Sequence, residues 1–151
     1  RDRDGLDWLA WSPRAPEFDP DRAEATMLRD LQQTLGLLTQ AGKQVVIAGP
    51  VPEQPELVTA CVLRGQLPWV AAGRCEASRN EVEHRQMRVN RVLRQVRREF
   101  PQVTVIWPAQ WSCNTELCRG FDGPMPLYAD DDHWTPDAFQ HFLQAVMPTP
   151  P

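Results

Sequence analysis

No stretch of this sequence approaches the roughly 18–20 consecutive apolar residues that a membrane-spanning helix needs, so nothing within it reads as a span. Serine is scarce: Ser12, Ser78 and Ser112 are the only hydroxyl nucleophiles of that type. The four cysteines include no C-x-x-C pair, which argues against a zinc knuckle. No sign of charge is in large excess. A net charge of −4 over 151 residues suggests neither wholesale nucleic-acid binding nor an acidic disordered tail. The opening residues Arg1-Asp2-Arg3-Asp4 are charged and carry neither Met nor the apolar core of a signal peptide, so the expectation is a piece of a longer chain.

Proline and tryptophan are abundant instead, at 15 and 6 residues. That composition implies long ordered loops pinned by rigid turns, with large aromatic faces to bury or to offer to a sugar. With 42% apolar residues, the chain can form a real core, and residues 1–151 read as one domain.

Periodicity then orders the elements. Leu6 to Trp11 reads as a buried strand stopped by Ser12-Pro13. Asp19-Pro20-Asp21 is a helix start, followed at helical spacing by Met27, Leu31, Leu35 and Leu38 and ended by Gly42. Gln44 to Ala48 is β-branched and uncharged, as expected of a strand covered on both faces, and Gly49-Pro50-Val51-Pro52-Glu53 terminates it. Such a loop beyond a strand's carboxyl end is also a plausible site wall. Gln54 to Ala77 shows no sustained period. A capping box at Ser78-Arg79-Asn80-Glu81 opens one helix through Val82, Val89, Leu93, Val96 and Phe100, closed by Pro101. Its arginines, Arg85, Arg88, Arg91, Arg94, Arg97 and Arg98, read as a solvated face more than as a phosphate site. Val103 to Trp107 is a third strand, so strands and helices alternate as in an α/β protein with a parallel sheet. Trp107 to Gly123 reads as a loop.

The chemistry concentrates in Tyr128-Ala129-Asp130-Asp131-Asp132-His133-Trp134-Thr135. An Asp three residues ahead of a His can curl back through a tight turn and accept the Nδ1 proton, leaving Nε2 free as a base. Thr135-Pro136-Asp137 then starts a helix with Phe139, Phe142, Leu143 and Val146 as its apolar stripe. The bland reading is an Asp-rich turn cap with an incidental His. A hard or borderline cation would suit the same residues, yet no second ligand cluster stands elsewhere. His84 and His141 read as surface residues. Cys61 with Cys75 and Cys113 with Cys118 form local pairs that fit two disulfides in an oxidising compartment, although four cysteines allow three pairings. No serine is a convincing nucleophile: Ser78 is an N-cap, Ser112 abuts Cys113, and Ser12 precedes a proline.

The block Tyr128-x-Asp130-x-x-His133, the Cys113 and Cys118 pair, the Gly49-Pro50-Val51-Pro52 turn and the Arg-rich helix together resemble the C-terminal SGNH-type domain of acyltransferase-3 family membrane O-acyltransferases. That resemblance implies a three-layer α/β/α, flavodoxin-like fold with a parallel sheet. It also implies Ser-His-Asp acyl transfer, usually of acetyl groups, with Asp130 and His133 as the Asp and His and with no cofactor or metal. The implied partners are an acyl donor delivered by an attached or associated membrane acyltransferase domain and a cell-surface polysaccharide acceptor, with no nucleic acid. The implied location is the extracytoplasmic, periplasmic face of the inner membrane, as a domain tethered to a membrane-embedded one. The family's Gly-Asp-Ser block and its Gly-x-Asn-Asp block have no counterpart in these residues. The expectation is therefore that the N-terminal strand and the serine lie outside this chain, which alone would be inactive. The alternative is a non-catalytic carbohydrate-binding or scaffolding relative using Trp11, Trp69, Trp111 and Trp134.

Overall fold

A computed structural model of the chain describes residues 19–65, 76–123 and 125–147. In chain order the elements are α1 (Pro20–Gln40), β1 (Val46–Ala48), α2 (Val58–Gly65), β2 (Ala77–Ser78), α3 (Arg79–Arg85), α4 (Met87–Glu99), β3 (Thr104–Ile106), α5 (Pro108–Ser112), β4 (Leu117–Cys118), β5 (Phe121–Asp122), β6 (Met125–Pro126) and α6 (Pro136–Val146). They divide into two compact units. One comprises residues 19–49 and 84–106, the other residues 50–65, 76–83, 107–123 and 125–147. The strand expected at Leu6 to Trp11 lies outside the described residues.

The first unit is a helix pair on a parallel strand pair. Asp19 caps α1 by accepting from the amides of Asp21 at 3.0 Å and Arg22 at 3.2 Å, with Pro20 in the first turn, where its missing N–H costs nothing. At the other end Gly42 takes φ +69°, and the Lys43 amide reaches back to the Leu38 carbonyl at 3.0 Å, satisfying a carbonyl the helix leaves open. β1 and β3 run parallel with Ile47 opposite Val105. Leu35 of α1 packs with Val92 and Val96 of α4 and with Val103, and Ile47 joins from β1.

Three expectations are corrected here. Val46 and Ala48 are exposed on either side of half-buried Ile47, so β1 is not covered on both faces. Leu38, expected in the apolar stripe of α1, stays exposed. The arginine face of α4 is partly paired: Arg88 meets Asp21 at 2.6 Å and Glu24 at 3.1 Å, and Arg91 meets Glu24 at 3.0 Å. The single helix expected from Ser78 to Phe100 is two helices. Gln86, buried and at φ −89°, ψ 1°, interrupts it, and Ser78 itself lies in β2.

The second unit is built from short strands and short helices. Residues 54–77, expected to lack periodic structure, contain α2, which buries Val58 and Cys61, and the start of β2. The loop expected from Trp107 to Gly123 contains α5, β4 and β5. β4 pairs antiparallel with β2, and β5 with β6. α6 starts as expected, with the Thr135 hydroxyl accepting from the Ala138 amide at 3.2 Å and Pro136 in the first turn. It buries Ala138 and Phe142, while Phe139, expected in the apolar stripe, is exposed. His84 and His141 are exposed, as expected.

Candidate active site

The acidic block folds into a closed turn. Tyr128 bridges Trp134 across it, the Ala129 amide donates to the His133 carbonyl at 2.9 Å, and the Thr135 amide to the Leu127 carbonyl at 2.8 Å. Inside this closure Asp130 uses both carboxylate oxygens. Oδ1 accepts from the amides of Asp132 at 2.9 Å and His133 at 2.7 Å, an Asx turn that local side-chain bonding favours over helix or strand. Oδ2 lies 2.9 Å from Nδ1 of His133. Asp132 Oδ1 approaches the same nitrogen at 2.8 Å.

Carboxylates at neutral pH only accept, so two of them against Nδ1 place the proton there and leave Nε2 with the lone pair. The amides of Asp132 and His133 hold the Asp130 carboxyl well below the usual range. The hydrogen bond His133 donates to Asp130, with the charges of Asp132 and Asp130, raises His133 above the ordinary imidazole value. The His133 side chain is 75% exposed, so the ring is open to a reaction partner while one edge is tied down.

The turn is seated on the loop that follows β1. The Tyr128 hydroxyl, buried and therefore raised in pKa, donates to the Pro52 carbonyl at 2.7 Å. The Gln54 amide donates to the Asp131 carbonyl at 2.7 Å. Beneath the turn Trp134 packs edge-on to Trp111 at 5.1 Å and to Phe142 at 5.2 Å, so the residue beside His133 is anchored in the local core.

Beside this core stands a hairpin closed by the Cys113–Cys118 disulfide. The side chain of Asn114 accepts from the amides of Glu116 and Leu117, both at 2.8 Å, and the Arg119 amide reaches the Ser112 carbonyl at 2.8 Å. Arg119 lies over the Trp111 ring at 5.5 Å. Cys61 is also disulfide-bonded; the expected partner, Cys75, lies outside the described residues.

Asp130 and His133, expected to meet, are in contact. Asp132, expected only as a member of the acidic run, also meets Nδ1, and Gln54 was not expected to take part. The run of three aspartates was a signal for the first; a lone Gln in a proline-rich stretch gave none for the second. Among the serines, Ser112 is fully buried with its hydroxyl on the Pro108 carbonyl at 3.1 Å, and Ser12 lies outside the described residues. Asp130, Asp132 and His133 could offer donor atoms within 4.8 Å of one another. Three such donors fall short of the roughly six or more oxygens of a calcium site, and a metal on Nδ1 would have to displace the proton both carboxylates hold. Among the described residues no helix is long and apolar enough to cross a membrane.

The model of the SGNH domain, described as fused to AT3 domains, matches residues 7–148. No curated protein and no solved structure matched the chain. Spanning almost the whole sequence, the family match shows that this chain belongs to the SGNH domains fused to AT3 domains.

Proposed function

We propose that the chain is an SGNH-type O-acyltransferase domain of three-layer α/β/α fold, in which His133 is the general base and Asp130 its orienting carboxylate. The observation that carries this reading is the His133 ring, held at Nδ1 by Asp130 and open elsewhere. Family membership points to acyl-transfer or esterase chemistry, and an Asp-His pair is what such chemistry needs to activate a hydroxyl. A serine outside these residues supplies the nucleophile. Nε2 takes the serine proton as Oγ attacks the acyl carbonyl; the tetrahedral intermediate then expels the donor's leaving group, which takes that proton from Nε2. A sugar hydroxyl next gives its proton to Nε2 and attacks the acyl-enzyme, and the serine recovers its proton as it leaves. Hydrolysis is the same second step with water.

The acyl group arrives from the membrane acyltransferase domain to which the family is fused, and the acceptor is cell-surface polysaccharide on the periplasmic side. A carbohydrate-binding role without catalysis is less well supported. Trp111 and Trp134 use ring contacts on each other and on Phe142, which leaves less of their faces for a sugar, and Trp11 and Trp69 lie outside the described residues. In full-length protein, His133→Ala should lower acyl transfer roughly 10²–10⁴-fold. Near-normal transfer by that variant would remove His133 from the mechanism.

A further inference from the structure

Gln54 is only 3% exposed, an unusual place for an amide side chain that has to find partners for every polar atom. It finds them in β2 and in the disulfide hairpin. Oε1 accepts from the Ala77 amide at 2.9 Å. Nε2 donates to the carbonyls of Arg119 at 3.3 Å and Cys118 at 3.4 Å. A donor on one side and two acceptors on the other settle which end of the amide is which. Held this way at β2 and at the disulfide hairpin, the residue presents its own backbone N–H to the Asp131 carbonyl at 2.7 Å. Asp131 sits between Asp130 and Asp132, the two carboxylates that face His133 Nδ1.

We infer that Gln54 is a positioning residue for the Asp130–His133 pair: its buried side chain sets the loop against which the catalytic turn is registered. The inference rests on the acyl-transfer reading above. Tyr128 pins the same loop one step away, through the Pro52 carbonyl, so the turn has two anchors on it. Tyr128 anchors the chain entering the turn; Gln54 anchors its apex. Removing the Gln54 amide frees the apex, and the carboxylates drift from Nδ1 while the fold around Tyr128, Leu127 and Phe142 remains packed.

The test uses full-length protein and hydrolysis of p-nitrophenyl acetate between pH 5 and 9. Gln54→Met keeps the volume and the backbone N–H but loses the three side-chain hydrogen bonds. It should lower kcat on the order of 10- to 100-fold with KM unchanged, the size expected for a slight misplacement of a catalytic group. The acid limb of its kcat/KM profile should also move down toward the ordinary imidazole value, because His133 loses its carboxylates. Gln54→Glu is the second variant. When protonated, its carboxyl reproduces the amide, the C=O on the Ala77 amide and the O–H on a carbonyl; when ionised, it faces two carbonyls with no donor. Its activity relative to wild type should therefore recover as pH falls. Wild-type kcat and an unmoved limb in Gln54→Met, or a Gln54→Glu ratio flat across pH, overturns the positioning role. His133→Ala run alongside separates the two claims: if it still hydrolyses the ester, the acyl-transfer reading fails, whatever Gln54 does.

Discussion

Asp130 has separate work for each of its oxygens, one closing the turn through two amides and one orienting His133. Replacing it with Asn keeps an acceptor for the amides but can present an NH₂ group to Nδ1, which favours the wrong tautomer. Asp130→Asn should therefore lower kcat roughly 10²–10⁴-fold. Asp132→Asn, which leaves the Asp130 contact with Nδ1 and both amide bonds of the turn in place, should cost less, and equal losses in steady-state assays would contradict the division of roles. The same pair predicts a pH dependence. His133 has its pKa raised in the fold, so the neutral base forms late, and the acid limb of kcat/KM should lie above 6.5, the ordinary imidazole value. Stability runs the other way. Protonated His133 contributes to the turn at low pH, a contribution fully present below the ordinary imidazole value and lost as pH rises through the raised one. Asp130, whose pKa is depressed, contributes above the ordinary carboxyl range and ceases to do so as pH falls through its lowered value.

Among the elements, the Cys113–Cys118 hairpin has little apolar core of its own: Cys118 and Cys113 pack with Ala77 and Val82, and the rest is turn. A covalent closure of so short a loop limits the unfolded chain by roughly 2 kcal/mol in the entropic model. Cys113→Ser with Cys118→Ser should lower unfolding stability by about that amount in urea titrations run without reductant, and added reductant should leave this hairpin's contribution in the double variant unchanged. A double variant as stable as the parent would show that the hairpin is held by its hydrogen bonds alone. The helices α1 and α6 were legible in advance because each begins with a side-chain cap followed by proline, a local signal that needs no tertiary partner. α2 was not: eight residues of it carry too little periodicity to stand out from the prolines before it.

For the molecule as a whole, the first unit depends on one buried contact set. Leu35, 2% exposed, meets Val92, Val96 and Val103, so it joins α1, α4 and the residue leading into β3. Leu35→Ala should cost about 2–5 kcal/mol, the usual range for a buried leucine that leaves a cavity. Urea unfolding measures it, and a loss below about 1 kcal/mol would place Leu35 outside the core. Leu38 offers the internal contrast: it belongs to the same sequence stripe but is 37% exposed, and Leu38→Ala should change stability by only about 0.5 kcal/mol or less.

The Asp130–His133 contact could be read directly from residue spacing, because a three-residue separation and an Asx turn are enough to bring the two side chains together. The parallel pairing of β1 with β3 was legible for a related reason, since uninterrupted β-branched runs separated by helical periods leave few other arrangements. Three features were not legible. The exposure of Val46 and Ala48 depends on what covers each face of β1, the break at Gln86 on where a polar side chain is buried, and the role of Gln54 on carbonyls 64 and 65 positions away in sequence. Local patterns record which conformations the chain favours by itself. Partners brought together from distant positions decide which polar groups are buried with their hydrogen bonds made, and only the folded chain brings Gln54 to the carbonyls of Cys118 and Arg119.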